Sequence, residues 1–260
     1  MQTCTAFNFR KQKATMMPER VVLSISGDDR ISFLQGLVTN DVKKASGCII
    51  YTALLTPQGK FIADFFVIGQ ADRLLIDVAA SHAQMLGQRL MMYRLRAKVE
   101  IAQTDLIVSR GSGPMPAGAL ADPRHTALGW RAYADVDMSD DTDWNAIHVA
   151  HQIPTTGVEL TEDTYVLEAG FEALNGVDFK KGCFVGQEIV ARMKHKTVLK
   201  KGLARVQISG TAQIGDAITA DGKAVGTLHS ISGDQGLAFL RFDRADGVMQ
   251  AGNATLTRLT

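Results

Sequence analysis

The stretch Asn175-Gly-Val-Asp-Phe-Lys-Lys-Gly-Cys-Phe-Val-Gly-Gln-Glu-Ile-Val-Ala-Arg-Met-Lys-His-Lys196 places a cysteine between two glycines and runs directly into an amphipathic segment. Gly182 and Gly186 permit a tight backbone path that brings Cys183 close to the start of a helix. Ile189, Val190 and Met193 supply that helix's buried face, and Lys194, His195 and Lys196 suit its C-terminal end. Two readings of Cys183 stay open. A thiol beside a helix N-terminus and the lysines Lys180 and Lys181 is biased toward the reactive thiolate. A lone cysteine can equally fill a small apolar gap.

Upstream, Val21 to Ser26 is a β-branched run ending at Gly27-Asp28-Asp29, where an Asp can cap the next helix, and Ile31, Phe33, Leu34 and Leu37 then recur at helical spacing. Ile49 to Thr56, a Pro57-Gln58-Gly59 turn and Phe61 to Gly69 read as a hairpin, with Arg73 to Ala79 as a third strand. Ser81 to Arg94 reads as a helix with Met85, Leu86, Leu90 and Met91 on one face, and Lys98 to Ala102 and Asp105 to Ser109 return to strand. A Gly/Pro loop over Gly111 to Gly118 and an acidic loop over Asp135 to Asp143 precede a helix beginning near Trp144. After Lys201 the texture changes to short β segments punctuated by turns such as Asp221-Gly222. The expected class is α+β, with a body over residues 1–200 in two α+β subdomains, the second near 46–140, and a small antiparallel β-barrel-like domain over 201–260.

The 260 residues suffice for a sizeable core, and no apolar run approaches the roughly 18 residues a membrane helix needs. Basic and acidic residues nearly cancel, 28 against 27, so no global charge draws the chain to nucleic acid or membrane. From Lys180 to Arg205, however, eight basic residues face Glu188 alone. This run reads as a solvated face, or as a surface for an anionic tail or RNA phosphate, with no aromatic-interleaved RNA module beside it. Cys4, Cys48 and Cys183 form no C-x-x-C pair, which excludes a disulfide framework and a cysteine-rich metal site and fits a reducing compartment. Arg10, Lys11, Lys13 and Arg20 leave a mitochondrial presequence open beside a plain bacterial N-terminus. His148 and His151, three apart on one helix, could share a metal but lack a third ligand in view.

Lys181-Gly-Cys-Phe-Val-Gly-Gln-Glu188 resembles the K-G-C-[FY]-x-G-Q-E signature of the YgfZ family. Phe33-Leu-Gln-Gly-Leu-Val-Thr-Asn-Asp41, Ala53-Leu-Leu-Thr-Pro-Gln-Gly-Lys-Phe-Ile-Ala-Asp64 and Tyr93-Arg-Leu-Arg-Ala-Lys-Val99 extend the likeness from about residue 20 to 205. That family is related to the glycine cleavage T-protein, and the resemblance implies a tetrahydrofolate site in a central channel. It implies Cys183 and Asp64 as reactive groups, Asp64 by its place after the Gly59 turn. Trp144, Asp64, Asn40, Lys181, Gln187 and Glu188 would be the folate contacts, with the Trp144 indole as a pterin platform. The chain departs from the pattern at His148-Val-Ala-His-Gln152, where T-protein has an arginine in R-x-E-A-G, at Arg20, which replaces a tryptophan, and in Tyr165-Val-Leu-Glu-Ala-Gly170, which lacks a proline.

The implied function is a tetrahydrofolate-binding factor that supports assembly or repair of iron–sulfur proteins, with client or assembly proteins as partners. It would act in the cytoplasm of a bacterium or the mitochondrial matrix of a eukaryote. The alternatives are a folate-dependent aminomethyltransferase using Asp64 as acid/base and, less favoured, a tRNA-modification accessory protein.

Overall fold

The computed structural model describes residues 19–196 and 198–259. Cys4 and the basic N-terminal residues Arg10, Lys11 and Lys13 lie outside the described residues, as does the side chain of Lys196.

Strands β1 (Arg20–Ser26), β2 (Ile49–Leu55), β3 (Phe61–Gly69), β4 (Arg73–Ala79) and β5 (Glu100–Gln103) form one antiparallel sheet in the order β2-β3-β4-β1-β5. Every residue of β2 is buried, because both faces of the sheet are covered. Period-two alternation sends Tyr51, Ala53 and Leu55 into one core and Ile50 and Leu54 into another. The second core also takes Leu34 from α1 (Arg30–Gln35) and Leu86 and Leu90 from α2 (Ala80–Arg94). Met91, expected on the buried face of α2, is 48% exposed, so the buried stripe is narrower than the spacing suggested.

Two local expectations are corrected by one interaction. Asp29 precedes α1 but makes no side-chain cap; its carboxylate instead accepts the Lys98 N–H at 2.8 Å. That amide is thereby withdrawn from strand pairing, and β5 begins at Glu100 rather than Lys98. The next strand, β6 (Ile107–Gly111), is likewise two residues late.

β6 joins β7 (Leu120–Ala121) and β8 (Trp130–Ala134) in a three-stranded sheet of order β6-β8-β7. Neither β7 nor β8 was expected, since β8 carries the fully buried Arg131 where an apolar residue would mark an inward position. α3 (Trp144–Ala150) starts where expected, and the Asp143 carboxylate accepts the Ala146 N–H at 3.0 Å. α4 (Gln187–Lys196) follows the cysteine loop.

The remaining strands, β9 (Lys201–Ser209), β10 (Ala217–Ala220), β11 (Lys223–Ser232), β12 (Gln235–Arg241), β13 (Val248–Ala251) and β14 (Ala254–Arg258), close into an antiparallel barrel of order β10-β11-β12-β9-β14-β13. Val206, Leu228, Leu240, Met249 and Leu256 fill its interior, and closure leaves no unpaired sheet edge. Polar bonds hold it to the body: Leu203 N–H donates to the Glu168 carbonyl at 2.7 Å, and the Gln152 side chain donates to the Leu203 carbonyl at 2.8 Å. No helix among the described residues is long and apolar enough to cross a membrane.

Candidate functional site

The cysteine loop is clamped onto the hairpin between β2 and β3. Gly186 has φ +84°, and a Cβ there would stand 2.7 Å from the Thr56 carbonyl oxygen. Gly59 has φ +75°, and a Cβ there would stand 2.8 Å from the Ile189 Cβ. Each glycine therefore admits the other segment's backbone or first helical turn, a fit that any side chain would break. Gln187 begins α4, and its side-chain oxygen accepts the Phe184 N–H at 3.2 Å.

The predicted contacts of this segment divide by environment. The Lys181 ammonium donates to the carbonyls of Gln35 and Val38, at 2.5 and 2.6 Å, tying the loop to the end of α1. Burial lowers its pKa to about 8. Glu188 and Cys183 are exposed. Asp64, by contrast, is buried in the body at 4% exposure, so the thiol and the carboxylate occupy different environments.

Around Asp64 the polar atoms are held by neighbours. The Tyr51 hydroxyl donates to Oδ2 at 2.9 Å, and the Thr156 hydroxyl donates to Oδ1. Burial and the adjacent carboxylate push the Tyr51 phenol well above its ordinary pKa, so it acts as a donor. Asn40 donates to the carbonyls of Tyr51 and Asn175, at 2.8 and 2.7 Å, and its oxygen accepts the Asp41 N–H. Its amide thus fastens backbone segments together. Asn40 and Tyr51 line a cavity of about 460 Å³ with apolar Ile49, Val177 and Phe179 and with Lys44 and Lys180.

The structure adds a buried arginine cluster that sequence reasoning missed. Arg20, Arg124 and Arg131 surround the Phe66 ring, their guanidinium carbons 5.5, 4.9 and 4.0 Å from its centroid. Asp77 pairs with Arg20 at 2.6 Å and Arg131 at 2.5 Å; Asp122 pairs with Arg124 at 2.9 Å and Arg131 at 3.4 Å. Burial opposes ionisation of Asp77, but the Arg131 and Arg20 charges outweigh it and hold its pKa well below the usual carboxylate range.

Arg110 adds a fourth guanidinium to a group that holds two carboxylates. Among the described residues it has no carboxylate partner and lies 4.8 Å over the Trp144 ring. Burial and the charges of Arg131, Arg20 and Arg124 lower its pKa to about 9. Nearby His148 is 4% exposed; its Nδ1 meets the Thr155 hydroxyl at 3.1 Å, while Nε2 has no hydrogen-bond partner. Burial and the charges of Arg124 and Arg110 lower its pKa to about 3. His151 instead stacks on His125 at 4.2 Å, so the two histidines of α3 and its C-terminus face different surroundings. Trp144 and Tyr51 pack on one core cluster, which places the indole and the Asp64 pocket on the same side of the large sheet.

The architecture matches a solved structure closely in shape. The glycine cleavage system aminomethyltransferase T from Bartonella henselae superposes with a TM-score of 0.76 over 92% of this chain and 82% of that chain, at 11% identity. The fold is that of T-protein. On it, residues 200–259 match the family described as CAF17, C-terminal beta-barrel domain, which is the closed barrel of β9 to β14. In sequence the chain is similar to the mitochondrial iron–sulfur cluster assembly factor IBA57 homolog of Mycosarcoma maydis, 30% identical over 73% of this chain and 55% of that protein. It is also similar to human mitochondrial IBA57, 26% identical over 88% of this chain and 77% of that protein. The chain spans about half the length of the fungal relatives. The resemblance carried by the cysteine segment is thus refined: the specific likeness is to IBA57 proteins, to which YgfZ is a related family.

Proposed function

We propose that this chain is a tetrahydrofolate-binding factor that supports assembly or repair of iron–sulfur proteins, with Cys183 as its reactive thiol. The observation that carries this reading is the placement of Cys183 on a glycine-bracketed loop, exposed to a protein partner yet fixed to the hairpin through Gly59 and Gly186. One thiol supplies one of the four ligands that a cluster ordinarily takes, so the cluster is cargo shared with a client or assembly protein. The names of the similar IBA57 proteins support that class of partner. Those names also carry the word mitochondrial, which fits the matrix location proposed for a eukaryotic chain; for a bacterial chain the proposed location is the cytoplasm.

The body's chemistry fits a folate. Arg110 without a carboxylate and His148 with an open Nε2 leave polar capacity beside an indole, suited to an aromatic ligand that carries acceptors. Lys180 lines the cavity at Asn40, suited to a carboxylate tail, while Lys44 there is paired with Asp178 at 2.6 Å. Folate would be bound by Trp144, Arg110, Tyr51 and Asp64, whose role here is to bind and orient it. Titration with tetrahydrofolate should quench tryptophan emission and raise the melting temperature by mass action. No change in either at millimolar ligand would refute the folate half of the reading and leave the Cys183 half standing.

A transferase reading is favoured by one feature, the buried Asp64 with a tyrosine and a threonine fixing its orientation. It requires methylenetetrahydrofolate formation from an aminomethyl donor, lost in Asp64→Asn. Binding without turnover decides for the assembly factor.

A further inference from the structure

A second cavity, of about 350 Å³, lies where the 159–168 segment meets the barrel. Glu159, Thr164 and Glu168 wall it on the body side, and Val225, His229 and Phe239 on the barrel side. Strand β11 is shaped toward it. The register of β11 slips against β10 at Val225 and against β12 at His229, so both residues are unpaired extra positions of β-bulges. A bulge re-aims the side chain it carries, and both of these line the cavity. His229 stands edge-on to Phe239, ring centroids 5.9 Å apart, and burial lowers its pKa, keeping it neutral.

The two buried glutamates differ in how they are satisfied. Glu159 accepts from the Ser230 hydroxyl and, at 2.9 Å, from the Thr155 N–H. Glu168 Oε2 accepts no hydrogen bond, although the side chain is only 10% exposed. Its one ion pair among the described residues is with the Lys201 ammonium, 3.4 Å away on a side chain that is 51% exposed, and the Lys60 charge acts on it from farther off. A buried carboxylate oxygen without a donor is costly, and an exposed lysine relieves little of that cost. The loose pair also shows which chemistry the position takes: an ammonium approaching from solvent. Val225 and Phe239 offer an apolar wall beside it, and Glu159, Asp163 and Glu168 outnumber Lys201 and Arg241, which disfavours an anion.

We propose that this cavity between body and barrel binds a small organic ammonium ion, which places its N–H donors on Glu168, rests its apolar part on Val225 and Phe239, and displaces Lys201. The folate reading uses neither this cavity nor these residues, so the two stand or fall separately.

The test is a protein-observed NMR titration of the full chain with benzylamine, and with benzyl alcohol as the neutral isostere. Benzylamine should shift the amides of residues 225–229 and Glu168, and bind at least about tenfold tighter than the alcohol. Glu168→Gln should erase that preference without lowering the melting temperature. Lys201→Ala should tighten benzylamine binding severalfold by removing the competing ammonium, an effect that a purely structural ion pair would not produce. Equal response to amine and alcohol, shifts absent from residues 225–229, or unchanged affinity in Lys201→Ala would overturn the proposal. Should Glu168→Gln unfold, the Lys201→Ala titration decides alone.

Discussion

Gly186 and Thr56 lie so close that a single methyl on the glycine would meet the threonine's carbonyl oxygen at 2.7 Å. Gly182, four residues earlier, has φ +97° but open space around the same point. The two positions therefore separate backbone conformation from packing. Gly182→Ala should cost about 1–2 kcal/mol from its left-handed backbone alone. Gly186→Ala should cost about 2–4 kcal/mol, because the hairpin must move as well. Denaturant unfolding measures both, and equal losses would show that the clamp does not hold.

Cys183→Ala removes an exposed sulfur and should change stability by less than about 0.5 kcal/mol. It should nonetheless abolish rescue of iron–sulfur enzyme activity in cells lacking the endogenous relative. Cys48, also exposed, is the matched control: it should react with alkylating agents and be dispensable. Full rescue by Cys183→Ala would remove the thiol from the mechanism.

Asp77 should make the fold acid-sensitive. Its folded pKa lies below the unfolded value, so its stabilisation is complete above about pH 4 and is lost as pH falls through the folded value. Asp77→Asn should cost about 3–5 kcal/mol at neutral pH by leaving Arg131 buried without its short partner. The variant should also flatten the acid limb of a stability profile. An acid limb unchanged in Asp77→Asn would assign the sensitivity elsewhere.

His148 acts over a different range. Its folded pKa is about 3, below the 6.5 of the free side chain. Its contribution is therefore complete above about pH 6.5 and declines as pH falls toward 3. His148→Asn should flatten stability between those limits, as read by urea unfolding across pH; an identical slope in both proteins would show that other groups titrate there.

Arg110→Gln tests the ligand side. The variant keeps a polar, hydrogen-bonding side chain beside Trp144, shorter than arginine, but loses the charge. Tetrahydrofolate affinity should fall about tenfold, with the melting temperature of the free protein unchanged or raised, since Arg110 is repelled by three neighbouring arginines. Undiminished affinity would exclude Arg110 from the site.

The hairpin from Ile49 to Gly69, the helix after Gly186 and the turn-punctuated strands beyond Lys201 were legible in the sequence because each depends on near neighbours. Alternation with a period of two, apolar residues at helical spacing and a Pro57-Gln58-Gly59 turn specify local backbone geometry within a few residues. The cysteine loop was equally legible, since its two glycines declare a path that other residues rarely follow. Tertiary structure alone decided that Lys181 spends its ammonium on α1, that Asp29 reaches Lys98 rather than capping its own helix, and that Cys183 and Asp64 lie in different environments. It alone gathered Arg20, Arg110, Arg124 and Arg131 around Phe66 and Trp144. An arginine in a linear sequence reads as a solvated residue; whether it is buried depends on which carboxylate and which ring the folded chain brings beside it from far along the sequence. That pairing is set by the closure of the whole body, and no periodicity within a single element encodes it.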